Sequence, residues 1–445
     1  MKQDVIQVDP ALLSKWNRPV PRYTSYPTAP QFHAVEESQL KDKLAAFDKT
    51  TKPLSLYFHI PFCKTMCLFC GCSVVLNRNP DRQNAYLRHL LREIELVAAH
   101  FSSKRLVTQL HLGGGTPTSL TEAQFELLMA KIRAHFTLSP HAEISIEVDP
   151  RTVHSDQGQK LTALKELGFN RISFGVQDLD PVVQEAVRRR QSEEMTLSTF
   201  HKARELGFDG INIDLIYGLP HQTALSFIKT ADKLLAIQPD RIAFYSYAKI
   251  PWLKEHQKAI PDETLPSTEE KFRIYVEARA RFMQGGYTAI GMDHFALPTD
   301  PMAIAYQNKT LTRNFQGYAV QLADDMIGFG MTAIGFIENG YFQNLKELET
   351  YQSAIDQGHL PLHRGYLLKE EDIIRREAIQ SLMCHFELDK KRFGHLADVE
   401  PLKAEALLEE TSDRLIATPL GRLFIRNVAS AFDAYLNKGT YSRAV

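Results

Sequence analysis

The strongest constraint on this chain is an alternation that starts at residue 54. Strand-like runs at 54–60 (LSLYFHI), 107–112, 143–148, 171–176, 210–217 and 241–247 are separated by helix-like runs such as AYLRHLLREIELVAAHF and LSTFHKARELGF. Strands that alternate with helices predict a parallel sheet with right-handed crossovers. Six such units predict an α/β fold built on a partial, open (β/α)6-type barrel. A further strand-like run is expected over YTAIGMDHFAL at 287–297.

The ends of the chain read differently. Residues 1–50 contain NRPVPRYTSYPTAP, whose four prolines allow little regular structure and predict an arm, or a lid, over the main domain. Residues 51–365 form the main unit. Residues 366–445 predict a small, mostly helical C-terminal domain with a possible strand pair.

Composition narrows the function classes. Lys and Arg total 52 against 53 Asp and Glu, so the basic surplus of a nucleic-acid binder is missing. No run of about eighteen apolar residues predicts a membrane span. The N-terminal MKQDVIQVDPALL lacks a signal peptide's apolar core, so a cytoplasmic location is expected. Cys384 stands alone in an apolar helical context and reads as packing. The other four of the five cysteines crowd into residues 63–72, which in a reducing compartment points to a metal or redox centre.

That crowd lies in YFHIPFCKTMCLFCGC, starting at Tyr57 directly on the first strand. Cys63, Cys67 and Cys70 follow a C-x3-C-x2-C spacing. Three thiolates on one loop can hold three irons of a [4Fe–4S] cluster and leave the fourth open to a ligand. Zinc sites favour paired C-x2-C elements or histidines instead. In barrel folds, functional groups gather at the C-terminal ends of the strands. There the second strand runs into GGGTPT (113–118), the third ends in Glu147 and Asp149, and the fourth ends in Gln177. Asp214 sits inside an otherwise apolar run, where a carboxylate is costly unless paired or bound.

The cysteine loop and glycine run resemble those of the radical S-adenosylmethionine (SAM) superfamily. That resemblance implies an open iron that chelates SAM and a 5′-deoxyadenosyl radical that abstracts hydrogen. Four longer segments narrow it: NRPVPRYTSYPTA; YFHIPFCKTMCLFCGC; NIDLIYGLP with YAKIPWLKEHQ; and GMDHFALP with TRNFQGY. Together they are similar to the oxygen-independent coproporphyrinogen III oxidase family, also called coproporphyrinogen III dehydrogenase. The resemblance spans residues 17 to 318 and extends to the C-terminal region.

It implies an oxidoreductase of haem biosynthesis that turns two propionates of coproporphyrinogen III into vinyl groups, giving protoporphyrinogen IX and carbon dioxide. It also implies a monomer that draws electrons from an unidentified donor. Two SAM molecules lie beside one cluster in that family. Carried over motif by motif, the first would meet Tyr57, Gly114, Glu147 and Ile334. The second would meet Phe69, Gly115, Thr116, Gln177, Arg189, Asp214 and Ala248. Arg188 and Arg190 offer alternative registers to Arg189.

Arg22 and Arg313 are candidate partners for the substrate's carboxylates. Two positions depart from the family pattern: Lys249 stands where histidine is expected, and Leu112 where tryptophan is expected. Lys249 could change the charge of the pocket. Related haem chaperones, which bind haem without turnover, share the cysteine loop but generally lack RYTSYPTA, GMDHF and RNFQGY. Radical SAM enzymes that degrade haem share much of the catalytic domain and form the other alternative.

Overall fold

The computed structural model describes residues 8–320 and 323–444. The MKQDVIQ start, read above for its lack of an apolar leader, lies outside them. Six parallel strands carry the architecture: β1 Leu54–Ile60, β2 Arg105–Gly114, β3 Phe136–Val148, β4 Arg171–Gln177, β5 Gly210–Tyr217 and β6 Arg241–Ser246. They lie side by side in chain order, each pair parallel. Helices cover them, so β1 is buried along almost its whole length and is mostly apolar, with Ser55 and His59 as its buried polar residues. Each fully buried Leu, Ile or Phe of this core contributes roughly 1.5–3 kcal/mol.

The sheet extends past the six expected strands at both edges. The run at 287–297 is not one strand but a hairpin, β7 Thr288–Ile290 and β8 His294–Ala296, with β8 antiparallel to β6. Gly291, at φ +56°, makes the turn. At the other edge β9 Met326–Phe329 pairs parallel with β1, and β10 Ile334–Ile337, β11 Gly340–Asn344 and β12 Leu362–Leu367 follow as an antiparallel meander. Among the described residues the main sheet therefore has 12 strands.

Strand β12 runs across residue 365, so a division there would cut it; the main sheet ends at Leu367. Beyond it come helices, among them Glu370–His385 and Ile425–Ser430, and a small sheet of three strands rather than a pair. The arm contains the helices Pro10–Trp16 and Glu37–Asp48, and the stretch between them is irregular apart from a short turn at Ala29–Gln31. Trp16, Tyr23 and Tyr26 pack into the same core as the barrel. No helix of the described residues is long and apolar enough to cross a membrane.

Candidate active site

The C-terminal ends of β1 to β6 surround an open cavity of about 740 Å³. Cys63, Cys67, Phe69 and Cys70 line it from the loop after β1, and Gly114, Gly115 and Thr116 line it from the end of β2. Glu147, Gln177, Arg189, Asp214 and Ala248 complete the wall. The sequence expectation thus meets at one place, apart from two residues. Tyr57 and Ile334 do not line this cavity. Tyr57 packs behind it, stacked on His111 at 6.0 Å and hydrogen-bonded to His59 at 2.9 Å. Ile334 lies on β10, beyond β9, against Phe32 of the arm.

The cysteine loop is tied down by backbone and side chains. Val75 donates to the Pro61 carbonyl at 2.8 Å, Asn77 to Cys63 at 3.0 Å, and Leu68 to Val187 at 3.0 Å. From the segment after β6, Lys254, His256 and Gln257 reach the carbonyls of Cys72, Cys70 and Phe69 at 2.6, 2.8 and 2.9 Å. All three fall in the YAKIPWLKEHQ segment, where no local pattern marks them as partners of the cysteine loop.

Gly115 leaves room at the cluster loop. A Cβ there would fall 2.5 Å from the Pro61 oxygen and 3.1 Å from Cys63 Sγ. Gly114 adopts φ +121°, which favours glycine, and its N–H donates to Glu147 Oε2 at 3.0 Å. Glu147 Oε1 lies 3.6 Å from His111 Nε2.

Around Cys67 the charges are ordered. Arg151 Nη2 lies 3.8 Å and Arg189 Nη1 3.7 Å from its Sγ. Both guanidiniums also reach Asp149, at 2.6 and 3.4 Å. Burial pushes the Asp149 carboxyl up, but Arg189 and Arg151 outweigh it and hold it at about 2. Arg151 was missed in the sequence, although it stands four residues after Glu147. Of the three arginines at 188–190, only Arg189 is buried; Arg190 pairs with Glu185 on the surface. Arg189 Nε is buried without a protein partner among the described residues.

Asp214 accepts from Asn212 at 2.7 Å and Ser173 at 3.0 Å. Burial, with repulsion from Glu147, pushes it up to about 6. Lys249 does not charge the pocket: its ammonium goes to Asp262 and to the Ile260 carbonyl at 2.7 Å. Leu112 is plain core. Arg313 is buried outside the cavity wall, 4.0 Å from Asp293.

These residues fit an iron–sulfur cluster with SAM. Three thiols set around a cavity suit such a cluster. Burial pushes the Cys63 thiol up to about 11, so a metal there must displace a held proton. The glycine cradle, the unpartnered Arg189 Nε and the acids supply backbone, cationic and anionic contacts for an amino-acid-bearing nucleoside.

Residues 57–234 match the Radical SAM superfamily, and fold and site together define a radical SAM oxidoreductase. The chain is 42% identical to the oxygen-independent coproporphyrinogen III oxidase of Synechocystis sp., covering 99% of this chain and 98% of that protein. It is 42% identical to the Escherichia coli protein of the same name, with 98% of each chain covered, and 38% identical to that of Helicobacter pylori. The solved structure of coproporphyrinogen III oxidase from Escherichia coli, described as a radical SAM enzyme, superposes with a TM-score of 0.89 over 97% of this chain and 100% of that one. The chain belongs to the oxygen-independent coproporphyrinogen III oxidase family.

Proposed function

We propose that this protein oxidatively decarboxylates two propionate side chains of coproporphyrinogen III to vinyl groups, giving protoporphyrinogen IX without oxygen. The observation that carries this reading is the single cavity that gathers the cysteine loop, the glycine run and the acids, in a chain matching that family over nearly its full length. A haem chaperone is not favoured, because every full-length relative reported above is named as the oxidase.

When bound, a [4Fe–4S] cluster with SAM supplies a carbon radical strong enough to take hydrogen from an unactivated C–H bond. The chain's own residues position and shield. Cys63, Cys67 and Cys70 hold the cluster. Glu147 and the Gly114 backbone present an acceptor and a close edge for the ammonium of a first SAM. Tyr57, one layer back, supports that edge, and Ile334 stands on β10, one strand beyond β9, on the same side of the sheet order.

Phe69, Gly115, Thr116, Gln177 and Ala248 form the wall against a second SAM. Asp214 accepts there from hydroxyl or ammonium groups, and Arg189 pairs with a carboxylate. The walls exclude water that would quench a radical. An air-labile cluster suits a reducing, cytoplasmic setting. The protein acts as a monomer on single electrons delivered by a separate donor.

The test is anaerobic turnover. Protein loaded with iron and sulfide receives SAM, a low-potential reductant and coproporphyrinogen III. Protoporphyrinogen formation supports the proposal. Haem binding with no tetrapyrrole turnover would overturn it in favour of a chaperone.

A further inference from the structure

One end of the cavity carries a cation that the site above does not use. Arg22, from the irregular stretch of the arm, lines the cavity beside Asp214 and Tyr245, and its Nη2 donates to the Ser246 carbonyl at 2.6 Å. Ser246 ends β6 and the cysteine loop follows β1, so the two come from the last and the first of the six strands. On its other side Arg22 borders a small internal cavity shared with Tyr217, Asp293, Arg426 and Ala444.

The arm does not hold this place by its own secondary structure. Arg426, buried in the C-terminal region, donates to the carbonyls of Val20 and Pro21 in the arm, the latter at 3.1 Å. It also donates to Ser442, Arg443 and Ala444 in the C-terminal tail at 3.2, 3.0 and 3.2 Å. Arg313 Nε donates to the Arg22 carbonyl at 3.4 Å. The backbone of residues 20–22 is thus gripped by two buried guanidiniums.

Arg22 and Arg426 border the small internal cavity beside Asp293, which bonds His294 at 2.6 Å and sits 4.0 Å from Arg313. Arg22 makes no ion pair with a carboxylate among the described residues. Burial, then repulsion from Arg22, pushes Arg426 down to about 9. A half-buried guanidinium that faces a cavity and bonds only a carbonyl can take an incoming carboxylate as its charged partner.

We infer that Arg22 is the subsite for a propionate carboxylate that the reaction leaves in place, and that Arg426 is the positioning residue that holds Arg22 there. The inference rests on the proposed tetrapyrrole substrate. A retained propionate fits better than a reacting one, because a tight guanidinium pair would stabilise a carboxylate that must leave as neutral carbon dioxide. SAM carries a carboxylate too, and the test separates the two sources.

The experiment uses full-length, cluster-loaded protein under anaerobic conditions. Wild type, Arg22→Gln, Arg22→Lys, Arg426→Gln and Arg426→Lys are compared by KM for coproporphyrinogen III, KM for SAM, and thermal melting. A second substrate has its two retained propionates blocked as methyl esters. Losing a charge-assisted contact should raise KM for coproporphyrinogen III roughly tenfold to a hundredfold in Arg22→Gln, with KM for SAM unchanged. The ester should cost wild type a similar factor and cost Arg22→Gln little more.

Arg22→Lys should keep part of the affinity. Whichever Arg426 variant melts normally should reproduce the Arg22→Gln shift in KM. A shift in KM for SAM alone would assign Arg22 to SAM and overturn the subsite. So would ester and Arg22→Gln losses that simply add. Wild type that neither binds nor converts the tetrapyrrole would overturn the substrate reading itself, and this inference with it.

Discussion

Gly114 donates its backbone N–H to Glu147 Oε2 at 3.0 Å, joining the ends of β2 and β3 at the cavity wall. A carboxylate in that place accepts more strongly than an amide. Glu147→Gln should therefore slow SAM cleavage by roughly tenfold or more, read as 5′-deoxyadenosine released per minute. Iron content should not change, since Glu147 does not touch the cysteines in this arrangement.

Gly115→Ala should act on the cluster loop itself. Its new methyl would fall 2.5 Å from the Pro61 oxygen and 3.1 Å from Cys63 Sγ. The backbone oxygen cannot yield cheaply, so the loop must shift. The expected outcome is lower iron and sulfide content after loading, measured by chemical assay, with a smaller effect on the melting of the metal-free protein.

Arg189 should be separable from its neighbours. It is buried and bonds the Gly175 carbonyl at 2.5 Å, whereas Arg188 and Arg190 are exposed. Arg189→Gln leaves Asp149 with one guanidinium instead of two and should cut turnover by at least tenfold, as expected for the loss of a buried charged contact. Arg188→Gln and Arg190→Gln should stay within about twofold of wild type, because exposed pairs contribute little. The measurement is initial rate for all three variants at saturating SAM.

Asp214 gives a pH signature to the ligand-free protein. Its folded value of about 6 lies above the ordinary 3.8. Between these values the folded state holds a proton that the unfolded state has lost. Stability from this group is therefore present below about pH 4 and is lost as pH rises through about 6. Asp214→Asn removes that dependence. The variant should gain stability relative to wild type with rising pH, reaching about 1–3 kcal/mol above pH 7. Denaturant melts of both proteins from pH 4 to 8 check this.

Much of this site could be read from residues alone, for a physical reason. β1 is buried along almost its whole length, β4 and β5 alternate buried with half-buried positions, and helices separate the six strands, so their periodicity shows in the residues. The cysteine loop and GGGTPT sit at strand ends, where the fold gathers function. What escaped detection was short or antiparallel. Strands such as Ile334–Ile337 and Gly340–Asn344 are too brief and glycine-bearing to show a period. The run at 287–297 looks continuous because its turn at 291–293 is short and holds one glycine and no proline.

Side-chain destinations were the other blind spot. Arg313 resembles a substrate arginine in sequence, yet it is buried beside Asp293 and grips the arm. Lys249 looks like a new pocket charge, yet Asp262 takes it. Such pairings depend on long-range contacts that no local pattern records. Asp293 and Arg313, for example, are brought together by the hairpin at 288–296, the helix Pro301–Gln307 and the short strand Thr312–Asn314 that carries Arg313.

The central claim is that a SAM-derived carbon radical takes the β-hydrogen of a substrate propionate in this cavity. Coproporphyrinogen III deuterated at the propionate β-carbons tests it directly, with mass analysis of the 5′-deoxyadenosine formed during anaerobic turnover. Deuterium in the deoxyadenosine, rising in step with protoporphyrinogen and absent with Cys67→Ser, is the predicted result. Unlabelled deoxyadenosine alongside vinyl product would contradict the account.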